Sequence, residues 1–311
     1  MNKTKFKIHK GGEEMHHSKE KILIYGRAGV GKTTLVFSAP KPMLLDLEDY
    51  GVERVSHRYQ KDWMHVNSYD ELLEIVRSGI LNEYETIIID SYDYMLRMIQ
   101  DKICAINPKL KTGNDSLTQK GWGELKGVAT RFLYELFKLD KHFIFTAHDK
   151  EEKNGDEFFF RPDAGGKSIY ELIKMVGFVG YMKQENNKRL ISFEPDADHI
   201  AKNYMGLSGF MEIQSADTFF SDLIENLHKQ KSEEAKIRRE YDALLSEQDT
   251  KLSKVGTPED LDLLIKELKD QETKIIWGSR LIFWNKIKKL AKDKFNMEYD
   301  NANNKFVLCD A

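Results

Sequence analysis

The chain has 311 residues, 41% of them hydrophobic, and a formal net charge of −3. No apolar stretch approaches the ~20 residues of a membrane span, and the first residues lack an apolar signal-peptide core, so we expect no membrane segment and no secretory leader. Two cysteines, Cys104 and Cys309, are too few for a disulfide scaffold or a thiolate metal cluster, and a reducing, cytoplasmic setting is expected.

Met1 to Lys21 is polar and basic. We expect residues 1–20 to form a flexible arm with one short strand near Phe6-Lys7-Ile8. Ile22-Leu23-Ile24-Tyr25 then has the length and apolarity of a buried strand. It leads into Gly26-Arg27-Ala28-Gly29-Val30-Gly31-Lys32-Thr33, a complete G-x-x-x-x-G-K-T loop. Thr34-Leu35-Val36-Phe37 continues as a helix, ended by Ala39-Pro40. Glycines let successive backbone N–H groups turn inward around a phosphate chain, and the helix N-terminus adds partial positive charge. Residues Gly26, Arg27, Ala28, Gly29, Val30, Gly31, Lys32, Thr33 and Thr34 are therefore the nucleotide-binding candidates. Lys32 is expected on the β/γ-phosphates of ATP, and the Thr33 hydroxyl on Mg²⁺.

Met43-Leu44-Leu45-Asp46-Leu47-Glu48 is an apolar strand that ends in two acids. Ligands of open α/β sheets bind outside the carboxyl ends of the strands. This placement sets Glu48 near a γ-phosphate, where a carboxylate can polarise an attacking water. A helix follows at Tyr69–Arg77. Thr86-Ile87-Ile88-Ile89-Asp90-Ser91 is a β-branched strand capped by an acid, and Asp90 is the second candidate for holding Mg²⁺. A helix at Tyr92–Ala105, a polar stretch and a helix at Gly123–Leu139 precede the strand Phe143–Thr146. His148 follows that strand and, at the same sheet edge, is a candidate sensor of the γ-phosphate. A helix at Ser168–Met175 and strands at Phe178–Met182 and Arg189–Phe193 come next. The turn-like Glu185-Asn186-Asn187 between those strands predicts a hairpin.

A helix at Thr218–Lys229 closes the core, read as 21–229. The remainder, 230–311, is dense in charge with apolar residues at helical spacing, and reads as a small helical domain. Thr257-Pro258-Glu259-Asp260 is a helix start, with Thr257 as N-cap and Pro258 at the first helical position. A last basic amphipathic helix is expected from Trp277 to Phe295. Strands and helices alternating through about 200 residues predict an α/β fold with a mostly parallel central sheet.

The order Lys32-Thr33, Asp46-Leu47-Glu48, Asp90-Ser91, Thr146-Ala147-His148 resembles the RecA-like P-loop NTPase core. It is most similar to the core-only RecA-like ATPases of phages, often described as ATP-binding or single-strand annealing recombination proteins. Tyr25-Gly26, Leu45-Asp46-Leu47-Glu48, Ile89-Asp90-Ser91-Tyr92, Ala147-His148 and Gly165-Gly166-Lys167-Ser168 carry the likeness over about residues 20–215. The family usually places Gln where this chain has His148. The resemblance implies ATPase chemistry with Glu48, Lys32 and His148 in catalytic roles. It also implies a cation such as Lys167 completing a neighbouring subunit's site in a ring or filament.

Two segments match the family's mobile DNA-binding loops. One runs from Asn107 to Lys120 and contains Lys109 and Lys111. The other, Asp149 to Gly166, contains Lys150, Lys153, Phe159 and Arg161; its residues also allow Phe158 to Phe160 to be an ordinary hairpin strand with the lysines solvated. Lysines neutralise phosphates and an aromatic ring stacks on unpaired bases. Single-stranded DNA is the implied partner, with a single-strand binding or replication protein as another, in the host cytoplasm if the chain is phage-encoded. A nucleotide-switched loader that acts through a protein partner, and a small-molecule kinase, are the alternative readings.

Overall fold

The computed structural model describes residues 19–114, 116–154, 157–166, 168–269 and 276–309. Lys167, Asp115 and the arm with its expected strand at Phe6–Ile8 lie outside the described residues. Two compact units are present, one within His17–Leu227 and one within His228–Ala311.

In the first unit the chain runs β1 (Lys21–Gly26), α1 (Lys32–Val36), β2 (Pro42–Asp46), β3 (Asp62–His65), α2 (Tyr69–Ser78), β4 (Thr86–Asp90) and α3 (Tyr92–Ile106). It continues through α4 (Gln119–Leu136), β5 (His142–Asn154), β6 (Glu157–Pro162), α5 (Ser168–Met175), β7 (Phe178–Glu185), β8 (Lys188–Ser192) and β9 (Phe210–Glu212). The helix α6 (Phe219–Lys254) follows. The described strands form one nine-stranded sheet in the order β3-β2-β4-β5-β1-β7-β8-β9, with β6 paired to β5 off this path. Pairing is parallel from β3 to β7 and antiparallel for β8 and β9. The expected fold class, a mostly parallel α/β sheet, is borne out.

Both faces of the sheet are covered at its centre, so β1, β2 and β4 are buried at nearly every position. Period-two alternation divides each strand between two cores. Leu23, Tyr25, Leu45, Ile87, Ile89 and Phe145 face α2, α3 and α4. Ile22, Ile24, Leu44, Ile88 and Ile144 face α1 and Phe220 and Leu223 of α6. Each such fully buried Ile or Leu contributes roughly 1.5–3 kcal/mol. The strand β5 lies between β1 and β4, pairing Leu23 with Phe145 and Ile88 with Ile144. That insertion brings the end of β5 between the phosphate loop and Asp90.

Several boundaries differ from expectation. The strand expected to stop at Thr146 runs on to Asn154 and forms a hairpin with β6, Lys150 opposite Arg161 and Glu152 opposite Phe159. The segment likened to a mobile loop is thus largely sheet, extended by the alternating Phe158 and Phe160. The helix after the phosphate loop is only five residues long. At four and three residues, β3 and β9 are too short to carry a pattern that can be read in advance. The β7–β8 hairpin forms as expected, with Asn186 and Asn187 both at positive φ, the conformation a two-residue hairpin turn needs.

The second unit contains most of α6, then α7 (Pro258–Lys269), α8 (Ser279–Phe295) and the hairpin β10 (Met297–Asp300) and β11 (Lys305–Leu308). Leu261, Ile265, Phe283, Ile287 and Phe306 form its core. At the start of α7 the Asp260 carboxylate accepts the N–H groups of Gly256 and Thr257. The final hairpin was not expected, because each of its strands is only four residues long. The start of α8 falls two residues later than predicted because Trp277 and Gly278 both take positive φ. Among the described residues no helix is long and apolar enough to cross a membrane.

Candidate active site

The first unit gathers the ends of four parallel strands at one edge of the sheet. Gly26 stands opposite His148, and Asp46 opposite Asp90. The loop from Gly26 to Thr33 rises from the end of β1. A side chain at Gly26 would place its Cβ 2.2 Å from the Met182 carbonyl oxygen, so only glycine lets β1 turn away beside β7. Gly31 sits at φ 98°, in the left-handed region that favours glycine.

Lys32 is buried, and its ammonium donates to the carbonyls of Gly26 at 2.7 Å and Arg27 at 3.0 Å. Lys32 thus laces the loop to itself, in addition to its expected place on the phosphates. Burial lowers its pKa, opposed by the charges of Asp90 and Glu48.

Asp90 is buried at the end of β4 and accepts a short hydrogen bond from the Thr146 hydroxyl of β5. Burial pushes its carboxyl up to about 6, against hydrogen bonds from Thr146 and Thr33. Thr33 and Asp90, the two metal candidates, are thus in direct contact. Asp46, also buried, accepts the N–H of Glu48 and the N–H of Val52, both at 3.1 Å. Burial raises its pKa despite these bonds. Asp46 shapes the turn that presents Glu48.

His148 extends β5 into the site. Its Nδ1 lies 3.1 Å from Oδ2 of Asp93 and 3.9 Å from Oε1 of Glu48. The hydrogen bond to Asp93 raises the His148 pKa, outweighing burial. Burial pushes the Asp93 carboxyl up, but its hydrogen bond and charge interaction with His148, together with further hydrogen bonds, hold it below the usual range. Donor atoms of Glu48, Asp93 and His148 all lie within 4.8 Å of one another. Asp93 was missed in the sequence. Its signal was an acid in the first turn of α3, three residues past Asp90, where a carboxylate suits the positive helix end.

The structure brings residues 26–34, Glu48, Asp90 and His148 to one edge. The β5–β6 hairpin, which carries Phe159 and Arg161, adjoins this edge, its Glu151 pairing with Arg27 at 3.0 Å. Lys109 lies in a short helical turn, Lys111 in a bridge to Leu117, and Lys120 in the first turn of α4. On the hairpin, Phe158 is 48% exposed, while Phe159 is half-buried and Phe160 stacks on Tyr181. Arg161 is no unpaired cation, since Glu152 holds it at 2.6 Å. Gly165 and Gly166 approach the ring of Trp122 on α4, which joins the two segments. In the second unit, Lys286 pairs with Asp249 and Lys292 with Glu298, partly neutralising the basic helix α8.

Comparison with known proteins places this arrangement. A family model described as an AAA domain matches residues 18–205. No curated protein matches the chain. Among solved structures, 272 chains match. One is the flagellar accessory protein FlaH from Methanocaldococcus jannaschii, at 13% identity and a TM-score of 0.36, covering 62% of this chain and 84% of that one. With a family model over more than half its length and a phosphate loop at the edge of a mostly parallel sheet, the chain belongs to the AAA-domain family and has a P-loop fold of nucleotide-binding class.

Proposed function

We propose that the chain is a Mg²⁺-dependent ATPase that works on single-stranded DNA in recombination, annealing or repair. The observation that carries the ATPase reading is the convergence of the Gly26–Thr33 loop, Glu48, Asp90 and His148 on one sheet edge. The residues fit the ligands this reading needs. A left-handed Gly31 permits the loop turn that a polyphosphate cradle requires. Asp90 and Thr33 offer hard oxygen donors of the kind Mg²⁺ takes. Bound Mg²⁺ supplies charge neutralisation on the β- and γ-oxygens.

Each residue then has a definite task. Lys32 exchanges loop carbonyls for β/γ-phosphate oxygens. Glu48 accepts a proton from the attacking water as the water oxygen bonds to the γ-phosphorus and the bond to the β–γ bridging oxygen breaks, releasing ADP and phosphate. His148, with Nδ1 committed to Asp93, keeps Nε2 for the terminal phosphate and links nucleotide state to the β5–β6 hairpin. Lys167, beside the Gly165-Gly166 turn, is proposed to act on a neighbouring copy within a ring or filament. Exposed Lys109, Lys120, Lys150 and Lys153, with the exposed ring of Phe158, support the single-strand reading. The setting proposed is cytoplasmic, the host cytoplasm if the gene is a phage's.

The test is phosphate release from ATP with Mg²⁺, with and without single-stranded DNA. Wild type is expected to hydrolyse ATP faster with DNA. Glu48→Gln is expected to bind ATP but hydrolyse it at least ~100-fold more slowly. Normal turnover by that variant would overturn the assignment of Glu48. Turnover indifferent to DNA would instead favour a nucleotide-switched loader.

A further inference from the structure

We propose that Arg189 binds the nucleoside end of the nucleotide, donating to its α-phosphate from within the same chain. The inference rests on the phosphate-loop reading above and adds a residue that no part of the loop motif contains. Arg189 belongs to β8, opposite Gln184 of β7. Two residues further on, Ile191 packs in the core that includes Leu35 and Val36 of α1. Strand alternation therefore puts Arg189 on the face of the sheet that carries α1. There its guanidinium stands against the last glycine of the loop. A Cβ built on Gly31 would meet Cζ at 3.0 Å, Nη1 at 3.1 Å and Nε at 3.3 Å.

The direction of approach assigns the phosphate. In the sheet, β5, β4 and β2 lie on one side of β1, and β7 and β8 lie on the other. The acids and His148 that handle a γ-phosphate all come from the first side. A triphosphate spanning the loop with its γ end there directs its α-phosphate and nucleoside toward the second side, where Arg189 enters.

Charge matching on the hairpin points the same way. Lys183 pairs with Glu185 at 3.1 Å, and Lys188 pairs with Glu212 at 2.7 Å. Among the described residues no carboxylate forms a salt bridge with Arg189, although it is exposed beside these acids. A planar guanidinium with two parallel donors matches phosphate oxygens better than an ammonium does.

The experiment is calorimetric titration of the full chain with ATP and with ADP, both with Mg²⁺, for wild type, Arg189→Ala, Arg189→Lys and Lys32→Ala. Both nucleotides carry the α-phosphate. Arg189→Ala is expected to weaken ATP and ADP equally, by about tenfold to a hundredfold, with the circular dichroism spectrum unchanged. Arg189→Lys should recover part of the loss. A loss confined to ATP would move Arg189 to the γ-phosphate and overturn the proposal. Unchanged affinity for both, while Lys32→Ala abolishes binding, would overturn it and leave the phosphate-loop reading standing. If wild type binds neither nucleotide, that reading fails first and this one falls with it.

Discussion

Nδ1 of His148 lies 3.1 Å from the carboxylate of Asp93, tying the extension of β5 to the first turn of α3. The bond raises the His148 pKa; burial pushes Asp93 up, and this bond, the charge of His148 and further hydrogen bonds together hold that carboxyl below the usual range. The signs define a window. A raised histidine contributes stability that is complete below its unfolded value of ~6.5 and is lost as pH climbs through the folded value. A depressed aspartate contributes above ~3.9, and that share is lost as pH falls through its folded value. The pair therefore contributes most between about pH 4 and 6.5. Asp93→Asn is expected to lower the His148 midpoint in an NMR titration. A midpoint that does not move would show that Asp93 does not govern this imidazole.

A second prediction follows from the two roles of Lys32. Lys32→Ala removes hydrogen bonds to the carbonyls of Gly26 and Arg27, each worth ~0.5–1.5 kcal/mol net. It also removes the burial of an ammonium whose pKa is already lowered. These effects oppose each other, so the melting temperature should change little while ATP affinity collapses. Thermal melts and nucleotide titration of one sample separate the two. Intact ATP binding in the variant would remove the phosphate-loop assignment.

The fold and much of the site were readable in advance for one physical reason. Strands buried on both faces show as unbroken apolar runs, and Ile87-Ile88-Ile89 ends at Asp90 with no polar interruption. The phosphate loop shows because its glycines answer a backbone demand at Gly26 and Gly31. Tertiary relations were not readable. Nothing local marks Asp93 as the partner of His148, 55 residues away, or Arg189 as a neighbour of Gly31. The charged run Asp149 to Lys153 leaves loop and hairpin strand both open in the sequence, and its regular pairing with Phe158 to Pro162 decides for the hairpin.

Asp90 yields a prediction about metal and pH together. Its carboxyl is pushed up to about 6 by burial, against ~3.9 in an unfolded chain. The folded state thus binds more protons between pH 4 and 6, and stability falls as pH rises through that window. A divalent cation requires the ionised form. Stabilisation by Mg²⁺ with ADP should therefore be greater at pH 7.5 than at pH 5. Asp90→Asn should abolish the difference. Thermal melts at the two pH values, with and without Mg²⁺, are the measurement. A Mg²⁺ effect independent of pH would place the cation away from Asp90.

The last prediction concerns single-stranded DNA, where the structure redistributes the candidate contacts. If the segment Lys109–Lys120 and the β5–β6 hairpin line a strand-binding groove, affinity should rise with ATP and fall steeply with salt. Each phosphate contact removed should flatten the log–log salt slope by roughly 0.7 for a single strand. Lys109 and Lys120 are exposed, so Lys109→Ala with Lys120→Ala should reduce the slope by about twice that amount. Basal hydrolysis should persist and DNA stimulation should drop. Arg161 is already paired with Glu152, so Arg161→Ala should change the slope less than either lysine. Stacking should be strongest at the exposed ring of Phe158 rather than at half-buried Phe159. Phe158→Ala is expected to cost ~1–3 kcal/mol if a base stacks there, with the slope unchanged. Anisotropy of a labelled oligonucleotide, titrated with salt, distinguishes the charge variants from the stacking variant in one experiment. Absence of DNA binding at low salt with ATP and Mg²⁺ present would sink the recombination reading and turn attention to a protein partner.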